Sequence, residues 1–175
     1  MHASAVAILS DCLAQRVRVN YAEGAFVAGL LHDVGRLLIA LSLPAEYEQI
    51  AAMSAETGRS VTECEMSELG FGHAELSAQA LALWKLPEPI QRAVMYHHDP
   101  ESDDTMVGEK EIPLSRLLMA ANDYLNSPDL HSPDLASRDE NAATPFASLG
   151  LDEDRTRELL VEFNTECDAM AQFFH

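Results

Sequence analysis

Gly29-Leu30-Leu31-His32-Asp33-Val34-Gly35-Arg36 decides how this chain is read. The stretch sets an ionisable pair, His32-Asp33, inside an apolar run over residues 23–42 and brackets the pair with glycines. Glycine costs a helix interior about 1 kcal/mol relative to alanine, so Gly29 and Gly35 predict that something approaches the backbone closely here. Burying Asp33 without a partner would be expensive. Arg36 follows Asp33 by three positions and His32 by four, which places all three on one helical face. Two readings are open at this point. One is a buried Asp33–Arg36 pair with a hydrogen-bonded histidine; the other is a metal-ligand pair with an anion-binding arginine.

Outward from this segment the periodicity is helical. Val6, Leu9, Leu13 and Val17 form the apolar stripe of an amphipathic helix over residues 3–17, which begins with almost no lead-in. A single, nearly buried helix is predicted for 23–42, ended by Pro44. Glu46–Thr57 follows, closed by Gly58. Ser60 with Glu63 three residues on forms a capping-box pattern for the next helix, which stops at Gly70. His73–Trp84, Pro87–His97 and Pro113–Leu125 read as three more helices, Pro113 lying in a first turn. Residues 99–111 read as an acidic loop and 126–149, with its prolines and scattered charges, as a long loop or linker. Asp152–Phe174 is a last amphipathic helix, which either packs back on the core or forms a dimer seam. No strand pattern or repeat emerges, so the fold class is all-α.

The bulk properties bound the function. The chain has 175 residues, enough for one domain with a sizeable core. No uninterrupted apolar run reaches the ~18 residues of a bilayer span. No signal-like basic segment opens the chain. The expectation is a soluble, cytoplasmic protein without a membrane partner. With 11 Lys+Arg against 29 Asp+Glu the formal charge is −18, a field that repels phosphate backbones and makes nucleic acid a poor partner. Cys12, Cys64 and Cys167 have no zinc-knuckle or redox spacing and read as reduced thiols. Trp84, with Leu81, Leu83 and Leu86, reads as core. Glu101, Asp103, Asp104, Glu109 and Glu111 read as a solvated acidic loop, since an EF-hand's spacing and glycine are missing.

His73, His97 and His98 join His32 in the helical body. Imidazoles together with an aspartate suit zinc, iron or manganese. Taken singly, each histidine also has a bland reading; His97-His98 at a helix end could simply favour the C-terminal dipole.

The ordered series of segments carries a resemblance. GLLHDVGR (29–36) looks like the signature of the HD phosphohydrolase superfamily. ALSLPAEY (40–47), GFGHAELSAQAL (70–81), LWKLPEPIQRAV (83–94), YHHDP (96–100) and MAANDYL (119–125) resemble successive segments of HDOD domains, over about Met1 to Leu125. The resemblance implies an HD-superfamily-like helical bundle over 1–126, normally preceded by a further helical lobe. A linker over 127–149 and an additional C-terminal helix over 150–175 complete the expected organisation. By the same resemblance His2, His32 and Asp33 match metal ligands of catalytic relatives, and Asn122 matches a position that holds an aspartate there. His73, His97 and His98 match the added histidines of HD-GYP phosphodiesterases, and Arg36 stands where a lysine is common.

Three departures from the catalytic pattern are visible. Asn122 replaces a carboxylate, and Asp123 could compensate only by a register slip of about 100° around the helix. The Gly-Tyr-Pro segment is missing after His97-His98, and His2 lies near a chain end. The expectation is therefore a regulatory signalling module, non-catalytic, acting through protein interaction or ligand sensing, with signalling proteins or a second copy as partners. The alternative is a metal-dependent phosphohydrolase acting on a nucleotide or cyclic dinucleotide. No cofactor is the leading expectation, with divalent iron, manganese or zinc as the alternative.

Overall fold

A computed structural model describes residues 2–127 and 145–172, and the regular structure among them is helical. The order is α1 (His2–Ala14), a 3-10 turn (Ala22–Gly24), α2 (Ala25–Leu31), α3 (Val34–Ser42), α4 (Pro44–Thr57), α5 (Val61–Leu69), α6 (His73–Leu83) and α7 (Glu88–Met95). After a loop with one 3-10 turn come α8 (Leu114–Asn126), a 3-10 turn (Pro145–Leu149) and α9 (Glu153–Gln172). The loop predicted over 126–149 falls largely outside the described residues, as do Phe173 and Phe174 of the predicted last helix.

The helix predicted over 23–42 is in fact two. It breaks at His32 and Asp33, where Asp33 takes φ −101° and ψ 11°. The flanking glycines supply the reason. A Cβ on Gly29 would lie 2.7 Å from Ala7 Cα, and one on Gly35 would lie 2.1 Å from the His73 carbonyl oxygen. Thus α2 is pressed against α1 and α3 against α6, backbone to backbone, and the chain turns between them. Ala22–Ser42, at 21 residues and mean hydropathy 1.5, is long and apolar enough to cross a membrane by those two criteria. The turn at Asp33 divides it into two short helices. Pro44 also does more than end α3, since it occupies the first turn of α4, where its missing N–H leaves nothing unpaired.

The caps read from the sequence form as expected. Ser60 Oγ accepts from Glu63 N while Ser60 N donates to the Glu63 carboxylate at 2.9 Å. Gly58 and Gly70 end their helices at φ 69° and 77°, the left-handed region that glycine enters without a Cβ penalty. After α1, Ile112 N donates to Arg18 O and Asn20 N to Ile112 O, and Asn20 Oδ1 accepts from Leu114 N at 3.0 Å. This tie fixes the start of α8 beside the end of α1.

The core lies where α1 packs on α2, α8 and α9, with α7 closing against α2 and α8. Leu9, Leu13, Leu81, Leu117, Leu118, Phe146 and Leu159 are fully buried there. Each such side chain stabilises the fold by roughly 1.5–3 kcal/mol relative to exposure. The last helix packs back onto α1: Leu159 and Phe163 enter the common core, and Arg16 pairs with Glu162. The three cysteines are free.

Two expectations about side chains need correction. Trp84 is 52% exposed and Leu83 81% exposed, whereas Leu81 is buried. Trp84 caps the end of α6 just before Lys85 turns to φ 61°, so it leaves the inner face that Leu81 occupies. Asp103 is not a solvated loop carboxylate: its side chain is 2% exposed and accepts from Arg92, Thr105 and Ser115.

Candidate metal centre

The turn between α2 and α3 delivers Asp33 to the wall of a cleft of about 630 Å³ and buries His32 beside it. His2 arrives from the start of α1, His73 from the start of α6, His97 and His98 from the turn after α7, and Asn122 from α8. The candidate site residues therefore meet in one place, His32 and His97 fully buried and His2, Asp33, Arg36, His73, His98 and Asn122 lining the cleft. Arg36 and Asn122 line the cleft; Asp123, one position on, is exposed and outside it.

The imidazoles form a continuous cluster. Ring centroids lie 5.7 Å apart for His2–His32, 5.2 Å for His32–His97, 5.6 Å for His73–His97 and 3.9 Å for His97–His98. Asp33 stands among them. Its Oδ1 is 3.2 Å from His73 Nε2 and 3.9 Å from His97 Nε2, and its Oδ2 is 3.5 Å from His32 Nε2. Arg36 Nη1 donates to Asp33 Oδ2 at the long distance of 3.4 Å.

Backbone carbonyls fix two of the ring tautomers. His32 Nδ1 lies 2.8 Å from Gly29 O and His97 Nδ1 lies 2.7 Å from Val94 O. A carbonyl oxygen only accepts, so both rings carry the proton on Nδ1 and present a lone pair on Nε2. Both Nε2 atoms are buried without a hydrogen-bond partner. Burial above all keeps these rings neutral: it lowers the His32 pKa and, helped by the neighbouring His98, pushes His97 down to about 3. Burial, then His73, pushes His98 down to about 4.

His73 behaves differently. Glu65, 2% exposed on α5, accepts from His73 Nδ1 at 2.6 Å and from its backbone N at 2.8 Å. Burial opposes protonation of this ring, but hydrogen bonds to Asp33 and Glu65 outweigh it and hold the pKa up at about 8. The His73 Nε2 proton then sits between Asp33 Oδ1 and His98 Nε2, the latter 2.9 Å away. Burial would raise the Asp33 pKa, yet the His73 hydrogen bond and the nearby His32, His73 and Arg36 charges hold it far below the usual carboxylate range. Gly35 N donates to Ser77 Oγ at 2.7 Å, which locks the turn against α6.

The donor set fits a divalent metal. Two neutral lone pairs, on His32 and His97, face the oxygens of an ionised carboxylate with no proton between them, an arrangement that a cation would satisfy. Among the described residues, two groups bring one ligand atom per residue within 4.8 Å of one another: His2/His32/Asp33 and His73/His97/His98. Nitrogen and carboxylate donors suit zinc, iron or manganese. Asn122 departs from such a set. Its Oδ1 lies 3.1 Å from His2 Nε2 and accepts from Asn126 Nδ2 at 3.1 Å. Glu65 and Asn126 are the residues that sequence reasoning missed.

The family model for the HDOD domain matches residues 1–100. Among solved structures, the chain is similar to a candidate phosphohydrolase from Shewanella amazonensis SB2B, at 26% identity and a TM-score of 0.72 over 94% of this chain. It is also similar to an HDOD domain protein of unknown function from Geobacter sulfurreducens, at 26% identity and a TM-score of 0.68 over 96% of this chain. A candidate signal transduction protein from Marinobacter aquaeolei VT8 shares the fold at 20% identity and a TM-score of 0.67, over 98% of this chain. The chain spans 57%, 58% and 37% of those three proteins, respectively.

Proposed function

This chain belongs to the HDOD family, and from that premise we propose that it is a regulatory module of bacterial signal transduction that senses a ligand in a metal-fitted pocket without turning it over. The residues that would hold the metal are drawn from His2, His32, Asp33, His73, His97 and His98. The metal, when bound, supplies a Lewis-acid charge able to hold a phosphate oxygen. Arg36, at the cleft wall, offers fixed N–H donors to the same kind of group. The helical bundle would then carry the occupied state to signalling partners in the cytoplasm, by favouring one packing arrangement over another.

The observation that supports sensing over turnover is Asn122. Where catalytic relatives carry a carboxylate, a neutral amide faces His2 and is further engaged by Asn126. An amide oxygen is a poorer ligand for a hard cation and holds no negative charge with which to orient an attacking water. The test is incubation of the manganese- or iron-supplied protein with mononucleotides and cyclic dinucleotides. No hydrolysis, together with saturable binding of at least one of them, is the expected result. Turnover abolished by Asp33→Ala would overturn the reading.

A second reading, a metal-dependent phosphohydrolase, draws on the two ligand groups that share the surroundings of Asp33. It predicts turnover in that same assay.

A further inference from the structure

The two halves of the pocket are not equivalent. In one, His73, His97 and His98 bring three imidazole nitrogens within 4.8 Å of one another. Asp33 Oδ1 adds an anionic oxygen 3.2 Å from His73 Nε2 and 3.9 Å from His97 Nε2. An ion seated there would displace to solvent the proton that His73 Nε2 holds in the metal-free protein. Each buried ring of this half is held from behind, His97 by Val94 O at 2.7 Å and His73 by Glu65 at 2.6 Å. A carboxylate behind a ligating imidazole fixes its tautomer and raises its basicity.

The other half is taken up by neutral and cationic partners. His2 Nε2 is engaged by Asn122 Oδ1, and Asn126 Nδ2 occupies the same oxygen, so both amide lone pairs are used. Arg36 brings a full positive charge to Asp33 Oδ2. What is left for a cation is His32 Nε2 and one already shared carboxylate. A second divalent ion there would add its charge to the first ion and to Arg36, with Asp33 and Glu65 as the opposing carboxylates at the site. Like charges at such short range in a partly buried site repel strongly.

We infer that the pocket takes one divalent ion per chain, held by His73, His97, His98 and Asp33, with Glu65 as the positioning carboxylate, and that Asn122, His2 and Arg36 close the other half to a second ion. The inference rests on the metal-fitted pocket proposed above and adds its stoichiometry and its location. The half that excludes the ion keeps its donors for an anionic group on the ligand.

His98 and His2 are both surface-accessible, so truncating either leaves the core intact. The experiment is titration of the chelator-treated protein with Co(II), followed by visible absorption and by elemental mass spectrometry after gel filtration. One Co(II) per chain is expected. Affinity should fall at least about tenfold in His98→Ala, about 10- to 100-fold in Glu65→Gln with an unchanged far-UV spectrum, and by less than about threefold in His2→Ala. Two Co(II) per chain, or binding lost in His2→Ala and kept in His98→Ala, would overturn the one-ion assignment and leave the metal-fitted pocket standing. No Co(II) binding by the unmodified protein would overturn both.

Discussion

Gly35 and His73 touch through their backbones: a side-chain carbon at position 35 would stand 2.1 Å from the carbonyl oxygen of His73. The contact joins α3 to α6 at the level where the pocket histidines begin. Its tightness leaves no room for the smallest substitution.

Gly35→Ala is therefore expected to destabilise the fold by about 2–3 kcal/mol or more, since the obstructing atom is backbone and cannot rotate away. Gly58→Ala, where nothing stands within 4 Å but φ is 69°, should cost only about 1 kcal/mol. Urea midpoints of the two variants compare them directly. Equal losses would mean that the helix contact is looser than the geometry implies.

Stability of the metal-free protein should peak near pH 6.5. His97 is held neutral by burial down to about 3, so the unfolded chain binds its proton first, and stability is lost as pH falls below 6.5. That group alone should remove about 2 kcal/mol between pH 6.5 and pH 5, with His98 and His32 shifting in the same direction. His73 works the other way. Its pKa is raised to about 8, so its contribution is full below 6.5 and lost as pH rises through 8. Denaturation midpoints in chelator from pH 5 to pH 9 should trace a bell, and a flat profile would contradict the burial of these rings.

Asp103→Ala should cost about 2–4 kcal/mol, because it takes from Arg92, Thr105 and Ser115 a shared acceptor whose side chain is 2% exposed. By contrast, Asp104→Ala removes a partner that is 89% exposed and should change stability by less than about 0.5 kcal/mol. Thermal denaturation of the pair separates the tether from the solvated charge.

Asn122→Asp restores an anionic oxygen beside His2 and should raise Co(II) binding from one ion per chain to two. If the stoichiometry stays at one, Arg36 rather than Asn122 is the dominant barrier. Combining Asn122→Asp with Arg36→Gln, which removes the positive charge, then tests that point in the same titration.

Much of the candidate site is legible in the sequence. His32, Asp33, Arg36, His73, His97 and His98 are ionisable residues in or beside apolar helical segments, and such placements demand partners, whereas His2 and Asn122 are reached through the family resemblance. The Ser60–Glu63 cap and the terminating glycines were legible for a similar reason, each being a local solution to unpaired helix ends. The features that escaped depend on tertiary placement. Glu65 lies among other acidic residues on α5, and only the fold-back of α6 brings it against His73. The break at Asp33 follows from two contacts made by distant helices, and an apolar pattern alone reads straight through it. The apolar composition around Trp84 points to the core, whereas its direction is set by the helix end.

The division of residues 22–42 into two half-helices has a mechanical consequence. Gly29 fastens the first half to α1 and Gly35 fastens the second to α6, so His32 and Asp33 form the joint between two rigid arms. Any change in the angle between α1 and α6 must be felt at those two residues. Conversely, a ligand held at Asp33 would bear on that angle. On the proposed sensing role these two residues act as a hinge pin, through which an occupied pocket would bias the shape that the bundle shows to its surroundings.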